Sequence, residues 1–508
     1  MTSLWLDQAA PIVTDAPGRV LTYDDIVIGA GLTGLSTALL LARAGRSVLV
    51  LEARSVGAVA TGNTTAKLSL LQGTQLSTIR RLHSGEVAQA YIDGNKAGQE
   101  WLVGYCSGAG VPVQRRDAVT YANGARGVAV ARAEVLALRG AGIDADWVDS
   151  FDELPFETRG GVRLADQAQF DPMDVLAALA RDLRAHGGVI HEGLRVTGLS
   201  VSSPCRVQTE RFTFRSERVV VATGTPIFDR SLFFAKLIPQ RSYCIAFEGV
   251  DDAPEAMYLA ADAPSRSLRT APRRDGTTMF LVGGAGHGVG RARSPQHHVD
   301  QLRTWTAEHF PSARETHWWS AQDYSAADHL PFVGAMPRGG RKVFVATGFD
   351  KWGMTNAVAA ALALSSRLLD GDVSWSRPLS RRFINPWGLM KAAKANTEVG
   401  ALMVTGHLGA QLRSSQNEIP PEGHGRVGRG DSVRPTAVST VGGVTCAVSA
   451  LCSHLGGVVA WNDAEKSWDC PLHGSRFAPD GTVLEGPATA PLTADDSPYR
   501  PDAESTTP

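Results

Sequence analysis

The chain has 508 residues, 50 Lys and Arg against 51 Asp and Glu, 43% hydrophobic residues and 6 Cys. At about 100–200 residues per domain it holds roughly two to four domains with real cores, so disorder of the whole chain is excluded. Balanced charge without a long basic run excludes a phosphate-backbone or anionic-membrane footprint, so no nucleic-acid partner is expected. Six Cys are too sparse for a disulfide-stapled secreted fold, and MTSLWLDQAAP lacks a basic segment followed by an apolar one, so a reducing cytoplasm is expected. No stretch reaches the roughly 18 consecutive apolar residues of a membrane span.

Residues 1–20 carry Pro11, Pro17 and Gly18 without periodicity and read as an extended N-terminal arm. From 21 to 385, β-branched runs alternate with amphipathic stretches, the pattern of an α/β domain. Expected strands include Ile26–Ile28, Val48–Leu51, Val219–Ala222 and Val343–Ala346. Helical spacing is clear at Leu32, Leu35, Leu39 and Ala42 and at Val175, Leu176, Leu179 and Leu183. Insertions at roughly 80–165 and 230–335 predict a chain that weaves between two subdomains. Residues 386–416 read as a small, polar connector, and Ser414–Gly430 as the strongest linker signal. Residues 417–492 form a small all-β module whose strand-like runs include Ala437–Thr440, Val444–Val448 and Val458–Trp461. The tail 493–508 reads as disordered.

Asp25-Ile-Val-Ile-Gly29-Ala-Gly31-Leu-Thr-Gly34 is a strand, a glycine turn and a helix start. In such a unit Gly29 permits the tight turn, Gly31 lets backbone approach a pyrophosphate, and Gly34 allows close helix–strand packing. Glu52 ends the next strand, 18 residues beyond Gly34, where its carboxylate can accept from ribose hydroxyls and disfavours a 2′-phosphate. The fingerprint alone leaves FAD and NAD open.

Further elements resemble the FAD-dependent family of D-amino-acid, glycine and sarcosine oxidases. The carriers are Thr61-Gly62-Asn63-Thr64-Thr65-Ala66-Lys67, Val219-Val-Val-Ala-Thr223-Gly224, Asp328-His-Leu-Pro331-Phe-Val-Gly334 and Val343-Phe-Val-Ala-Thr347-Gly348-Phe-Asp-Lys-Trp-Gly353-Met354-Thr355. The resemblance implies a glutathione-reductase-type, Rossmann-like FAD domain with an interwoven α+β substrate subdomain. It implies cofactor contacts at Thr64, Thr65, Val196, Thr223, Gly224 and Gly348, and a helix start at Gly353, Met354 and Thr355 that stabilises negative charge on the reduced ring. Val358, Ala361, Leu362 and Leu369 continue that helix's apolar face. Lys67 is a candidate flavin-side catalytic group, and His287 is a second candidate that either faces the flavin or caps a turn.

Leu281-Val-Gly283-Gly284-Ala-Gly286-His287-Gly288-Val-Gly290 imitates a second fingerprint, but Arg291–Pro295 interrupts any immediate helix and no strand-ending acid follows, which disfavours NAD(P)H there. No Cys-x-x-x-x-Cys pair follows the first fingerprint, which disfavours disulfide reductase chemistry. Arg241, Arg266 and Arg269 are candidates for binding a substrate carboxylate, with surface or structural roles equally open.

Cys452-Ser-His454 and Cys470-Pro-Leu-His473 place two thiolates and two imidazoles on Gly-rich loops separated by fifteen residues. That set suits a two-iron, two-sulfide cluster with Cys on one iron and His on the other; tetrahedral zinc is the competitor. The module resembles Rieske domains through Trp468-Asp-Cys-Pro-Leu-His-Gly-Ser-Arg-Phe477 and Asp480-Gly481. Against cytochrome-complex members, Gly457 and Leu472 stand where a disulfide is expected and Phe477 where a Tyr is expected, although Ser475 is kept. Those departures lower the expected potential within the roughly −150 to +300 mV Rieske range. Cys106, Cys205, Cys244 and Cys446 read as buried small hydrophobes.

A flavin accepts two electrons and a Rieske centre moves one at a time. The expectation is therefore a dehydrogenase that oxidises a C–N bond of an amine or amino acid and drains electrons through the cluster to an acceptor protein or small carrier. The alternative is a reductase or electron-transfer component serving a partner oxygenase.

Overall fold

The computed structural model describes residues 2–18, 20–228, 231–380, 386–412, 419–429 and 434–494. Its nucleotide-binding sheet runs Phe332–Ala335, Val343–Thr347, Thr213–Val221, Thr22–Ile28, Val48–Leu51, Val189–His191, with Val196–Ser200 and Cys205–Thr209 attached at one side. Four of its five neighbour pairs are parallel, and only the Phe332–Ala335 edge is antiparallel. The central strands are buried on both faces, which explains their continuous Val/Ile/Leu runs. Helices Leu32–Arg43 and Gly353–Leu368 start at the C-terminal ends of sheet strands, so both helix N-termini meet at one edge of the sheet.

The second sheet is nine-stranded and mixed, ordered Arg314–Ala326, Leu237–Glu248, Thr278–Gly288, Arg266–Pro272, Met257–Ala260, Gln114–Tyr121, Gly161–Gln169, Lys67–Leu68, with Asp146–Val148 paired to Gly161–Gln169. Its strands come from chain segments on both sides of Thr213–Val221, so the two subdomains interweave. The segment that imitated a second fingerprint lies on strand Thr278–Gly288 of this sheet.

The C-terminal module holds a three-stranded sheet of Gly425–Arg429, Pro435–Val441 and Val444–Ser449, and a four-stranded sheet of Ala460–Asn462, Ser467–Asp469, Arg476–Phe477 and Val483–Glu485. Trp468 and Phe477 are fully buried in its core.

Several expectations are corrected. The supposed extended arm contains helix Leu4–Gln8, capped by the Ser3 hydroxyl; buried Trp5 donates Nε1–H to the Thr64 carbonyl at 2.7 Å. Five helical residues are too few to show periodicity, and a tertiary contact of Trp5 holds them. The connector contains the 27-residue helix Pro386–Leu412. Its many Ala and Gly residues hide the pattern, while Val399, Leu402 and Met403 lean on the core of the C-terminal module. Within the linker, Gly425–Arg429 is a paired strand; residues 414–418 and 430 lie outside the described residues, as does 495–508 of the tail. The apolar helix face stops at Leu368, leaving Leu369 as an exposed C-cap. Cys446 is only half-buried, whereas Cys106, Cys205 and Cys244 are buried.

Candidate functional site

One elongated cavity runs from the glycine turn across both sheets to the C-terminal module. It is lined by Gly29, Gly31, Glu52, Thr64, Thr65, Lys67, Val196, Thr223, Gly224, Gly348, Gly353 and Met354 of the expected set. Gly29 has φ +105°, and a Cβ there would stand 2.5 Å from the Ala222 carbonyl oxygen. A Cβ on Gly34 would meet the Gly29 oxygen at 1.9 Å, so Gly34 acts in helix–strand packing and does not line the cavity. By contrast, a Cβ on Gly31 would meet only Thr61 Oγ1, at 3.1 Å. Gly31 is the N-cap of helix Leu32–Arg43 and supplies no side chain; Thr61 Oγ1 accepts the Leu32 amide at 3.2 Å, and the positive helix end lies beside the space a pyrophosphate would fill.

Glu52 accepts the Ala30 and Arg54 amides, each at 2.9 Å, which fixes the carboxylate at the end of its strand. Burial raises its pKa against the lowering effect of those amides and of Arg54 and Arg195. A carboxylate has about four lone-pair sites, so acceptor capacity remains for ribose hydroxyls. The two Ala-Thr-Gly junctions meet: Thr347 Oγ1 donates to the Gly224 carbonyl at 2.5 Å.

Thr64, Thr65 and Lys67 reach the cavity because their loop is held from outside. Trp5 bonds the Thr64 carbonyl, Trp319 the Asn63 carbonyl at 2.9 Å, and buried Arg269 the Thr65 and Ala66 carbonyls at 2.6 and 3.0 Å. Lys67 Nζ donates to the Tyr258 carbonyl at 2.6 Å and to Ser267 Oγ at 2.7 Å. Burial, with Arg269 nearby, pushes its pKa down to about 7.

Thr355 and His287 are placed differently. Thr355 is buried in a network with Gln72 (2.9 Å) and Asn95 (2.5 Å), outside the cavity lining. His287 shares a hydrogen bond of 3.0 Å with Tyr243 Oη and bonds its own Gly288 carbonyl at 2.9 Å. It reaches the cavity only through Tyr243, which does line it. None of Arg241, Arg266 and Arg269 lines the cavity. Arg269 holds the loop just described, Arg266 lies over the Trp305 ring, and Arg241 faces the C-terminal module.

Sequence reasoning missed Arg195, Tyr243, Gln322, Asp323, Tyr324 and Lys351, and also Leu484, Glu485, Gly486 and Thr489 from the C-terminal module. Lys351 lay inside a quoted motif and Arg195 beside Val196, but long-range docking alone brings the 484–489 segment to this wall.

Cys452 and Cys470 are buried and close enough for their thiols to hydrogen-bond. The His454 and His473 rings lie 5.3 Å apart at 87°, and Phe234, in the connection between strands Thr213–Val221 and Leu237–Glu248, packs on both, at 5.5 and 4.8 Å. Among the described residues no group of three or more His, Cys, Asp or Glu side chains is arranged to hold a single metal ion. Paired thiols and paired imidazoles suit a binuclear cluster. Where the disulfide is absent, Leu472 fills the space: a Cβ on Gly457 would stand 2.4 Å from Leu472 Cδ1. Ser475 Oγ accepts the Ala488 amide at 3.0 Å and hydrogen-bonds Cys452. The second ligand loop seats on the glycine-rich segment of the substrate sheet, with a Cβ on Gly290 clashing with Asp469 and Pro471 backbone at 2.8 Å.

The FAD dependent oxidoreductase family profile matches residues 24–367, and the Rieske [2Fe-2S] domain profile matches 414–495. The chain belongs to the FAD-dependent oxidoreductase family. It binds FAD in that domain and carries a [2Fe-2S] cluster in its Rieske domain. The oxidoreductase is 30% identical over 490 residues to the Bacillus subtilis (strain 168) protein YhfW, named for a Rieske 2Fe-2S iron-sulfur protein, covering 94% of this chain and 95% of that one. In fold it is similar to glycine oxidase from Geobacillus kaustophilus (TM-score 0.60, 18% identity, 72% of this chain and 100% of that chain). It is also similar to L-amino acid deaminase from Proteus myxofaciens (TM-score 0.59, 16% identity, 75% of this chain and 95% of that chain). Among the described residues no helix is long and apolar enough to cross a membrane.

Proposed function

We propose that this oxidoreductase is a dehydrogenase that oxidises a C–N bond of a small amine or amino acid and exports the electrons singly to an acceptor protein or small carrier. The bound FAD supplies hydride acceptance and the cluster supplies one-electron transfer. Gly29, Gly31 and the amides of helix Leu32–Arg43 would hold the pyrophosphate, Glu52 the ribose, and Val196, Thr223 and Gly224 the adenosine side. Thr64, Thr65, Lys67, Gly348, Gly353 and Met354 would surround the ring. Cys452 and Cys470 would bind one iron, His454 and His473 the other. Two N–H groups of Lys67 are engaged by Tyr258 and Ser267, which leaves the third for the cavity.

One observation carries the coupling. Gln322 lines the cavity and donates from Nε2 to the Gly474 carbonyl at 2.8 Å, one residue after His473. A single side-chain amide thus spans the wall between the flavin cavity and the cluster loop. The names of the structural neighbours, glycine oxidase and L-amino acid deaminase, favour amino-group substrates.

The test is anaerobic stopped-flow mixing with a panel of amines and amino acids, with NAD(P)H in parallel. Flavin bleaching by an amine followed by cluster reduction supports the proposal. Rapid reduction by NAD(P)H and by no amine replaces it with the reductase reading.

A further inference from the structure

Behind the cavity wall lies a row of ionisable side chains that neither the flavin site nor the cluster site uses. Asp350 Oδ2 meets His329 Nδ1 at 2.7 Å, and His329 Nε2 meets Lys391 Nζ at 2.9 Å. Asp350 also accepts from Ser325 Oγ at 2.5 Å and from Gln75 Nε2 at 3.2 Å. The Asp350 and His329 side chains are 16% and 21% exposed, while Lys391 stands half-buried on helix Pro386–Leu412. At the inner end, Asp323 lines the cavity and accepts the Lys351 amide, which sets it beside Asp350 in the turn Phe349–Lys351. The remaining charged neighbours are Lys351 beside Asp323 and Asp328 beside Lys391.

Three of the non-glycine residues with positive φ lie in this row or beside it. His329 (φ +62°), Asp350 (φ +49°) and Lys351 (φ +70°) are all non-glycine residues in the left-handed region. Such conformations gather at functional sites. Burial and the Asp350 charge hold Asp323 up to about 7, which suits a group that gains and loses protons near neutrality.

The chemistry requires such a route. Oxidising an amine to an imine takes one hydrogen from carbon and one from nitrogen, which removes two electrons and two protons in all. An iron–sulfur cluster accepts electrons by turning ferric iron to ferrous and takes no proton in that step. Once both electrons have passed singly to the acceptor, both protons remain on the cavity side and must reach solvent.

We propose that Asp323, Asp350, His329 and Lys391 form the proton exit of this cavity, with Asp323 as the inner acceptor and Lys391 as the outer donor to solvent. This rests on the electron-export function above. Lys391 sheds a proton to water and is reprotonated through His329; His329 draws on Asp350, Asp350 on its neighbour Asp323 and Asp323 on the cavity, so two such passages carry both protons out.

The experiment uses the full chain loaded with both cofactors, photoreduced without oxygen and mixed with ferricyanide in weak buffer containing a pH-indicator dye. Electron paramagnetic resonance of the partly reduced wild type reports whether flavin and cluster exchange electrons, which tests the parent function separately. In the wild type, proton release should keep pace with flavin reoxidation. In His329→Gln and in Lys391→Met, release should lag by about a hundredfold or more, the lower end of the range for lost acid–base groups, with a larger solvent deuterium effect. Added imidazole should restore the rate in His329→Gln. Release that keeps pace in both variants overturns the proposal, as does a lag in His329→Gln that imidazole leaves unchanged. Lys391→Met, at a half-buried helix position, keeps the test valid if the His329 variant does not fold.

Discussion

Arg241 of the substrate sheet and Glu465 of the Rieske domain form a buried ion pair at 2.5 Å, with side chains 2% and 1% exposed. Arg476 joins them, bonding Glu465 at 2.6 Å, Glu485 at 2.7 Å and Asp469 at 3.0 Å. Glu485 meets Arg241 as well, at 3.4 Å, and lines the flavin cavity. Two buried arginines, two buried carboxylates and the partly buried Glu485 thus join the cluster domain to the flavin domain. Removing one partner leaves another charge buried without compensation.

Arg241→Met should therefore destabilise the holoprotein by about 3–5 kcal/mol, the cost of breaking a buried pair. Denaturant melts followed separately by flavin fluorescence and cluster absorbance should show the two transitions moving apart. Burial alone raises the Glu465 pKa, but Arg241 and Arg476 outweigh it and hold the group down to about 2. The stabilisation is thus fully present above the unfolded value of about 4.5 and is lost as pH falls toward 2. Acid titration of the wild type should separate the domains in that window, and a wild-type profile matching Arg241→Met would refute this.

Gly31 and Gly34 should fail in different ways. Gly31→Leu has room at Cβ and projects into the pyrophosphate space, so the protein should fold, retain its cluster and lose FAD. Gly34→Ala drives a methyl into the Gly29 carbonyl, costing about 1–3 kcal/mol as overpacking. Flavin content after gel filtration, set beside melting temperature, distinguishes the two.

Purified protein should contain one FAD and two irons with two sulfides per chain. Cys452→Ser should lose the iron but keep flavin, because Gly29, Gly31 and Glu52 belong to another domain. Gly457→Ala should also lower cluster content, since its methyl would strike Leu472. Zinc without sulfide would overturn the cluster assignment.

Lys67→Met should shift the flavin spectrum and slow flavin reduction by substrate. Its pKa is depressed to about 7 on folding, so between there and about 10.5 the unfolded chain binds more protons. This residue's contribution to stability therefore rises with pH across that window and is most unfavourable below it. Relative to Lys67→Met, the wild type should gain stability between about pH 7 and 10, as read by denaturant melts. An unchanged flavin spectrum and reduction rate would remove Lys67 from the ring environment.

Local signals carried much of this protein. Gly29, Gly31, Gly34 and Glu52 were legible because strand, turn and helix lie within one short unit whose spacing is set by backbone geometry. The C-x-H and C-x-x-H pairs were legible because ligand chemistry tolerates few residue types. Interweaving of the subdomains was visible in the long insertions at roughly 80–165 and 230–335 between the nucleotide-binding pieces. Other features depend on contacts between residues far apart in sequence. Trp5 bonds Thr64, Gln322 bonds Gly474, Gly290 seats the Cys470 loop and Phe234 covers both His454 and His473. None of these residues carries a pattern of its own, since a buried Trp, Gln or Gly reads alike wherever it packs. The helix Pro386–Leu412 was hidden for the same reason: its small residues give no apolar stripe, and only packing on the Rieske domain reveals which face is inside. The identity of the cofactors is thus written in short runs of residues, because cofactor-binding geometry is local. Closure of the flavin cavity by the cluster domain is not written there, because charge burial and shape complementarity between distant segments are settled only when those segments meet.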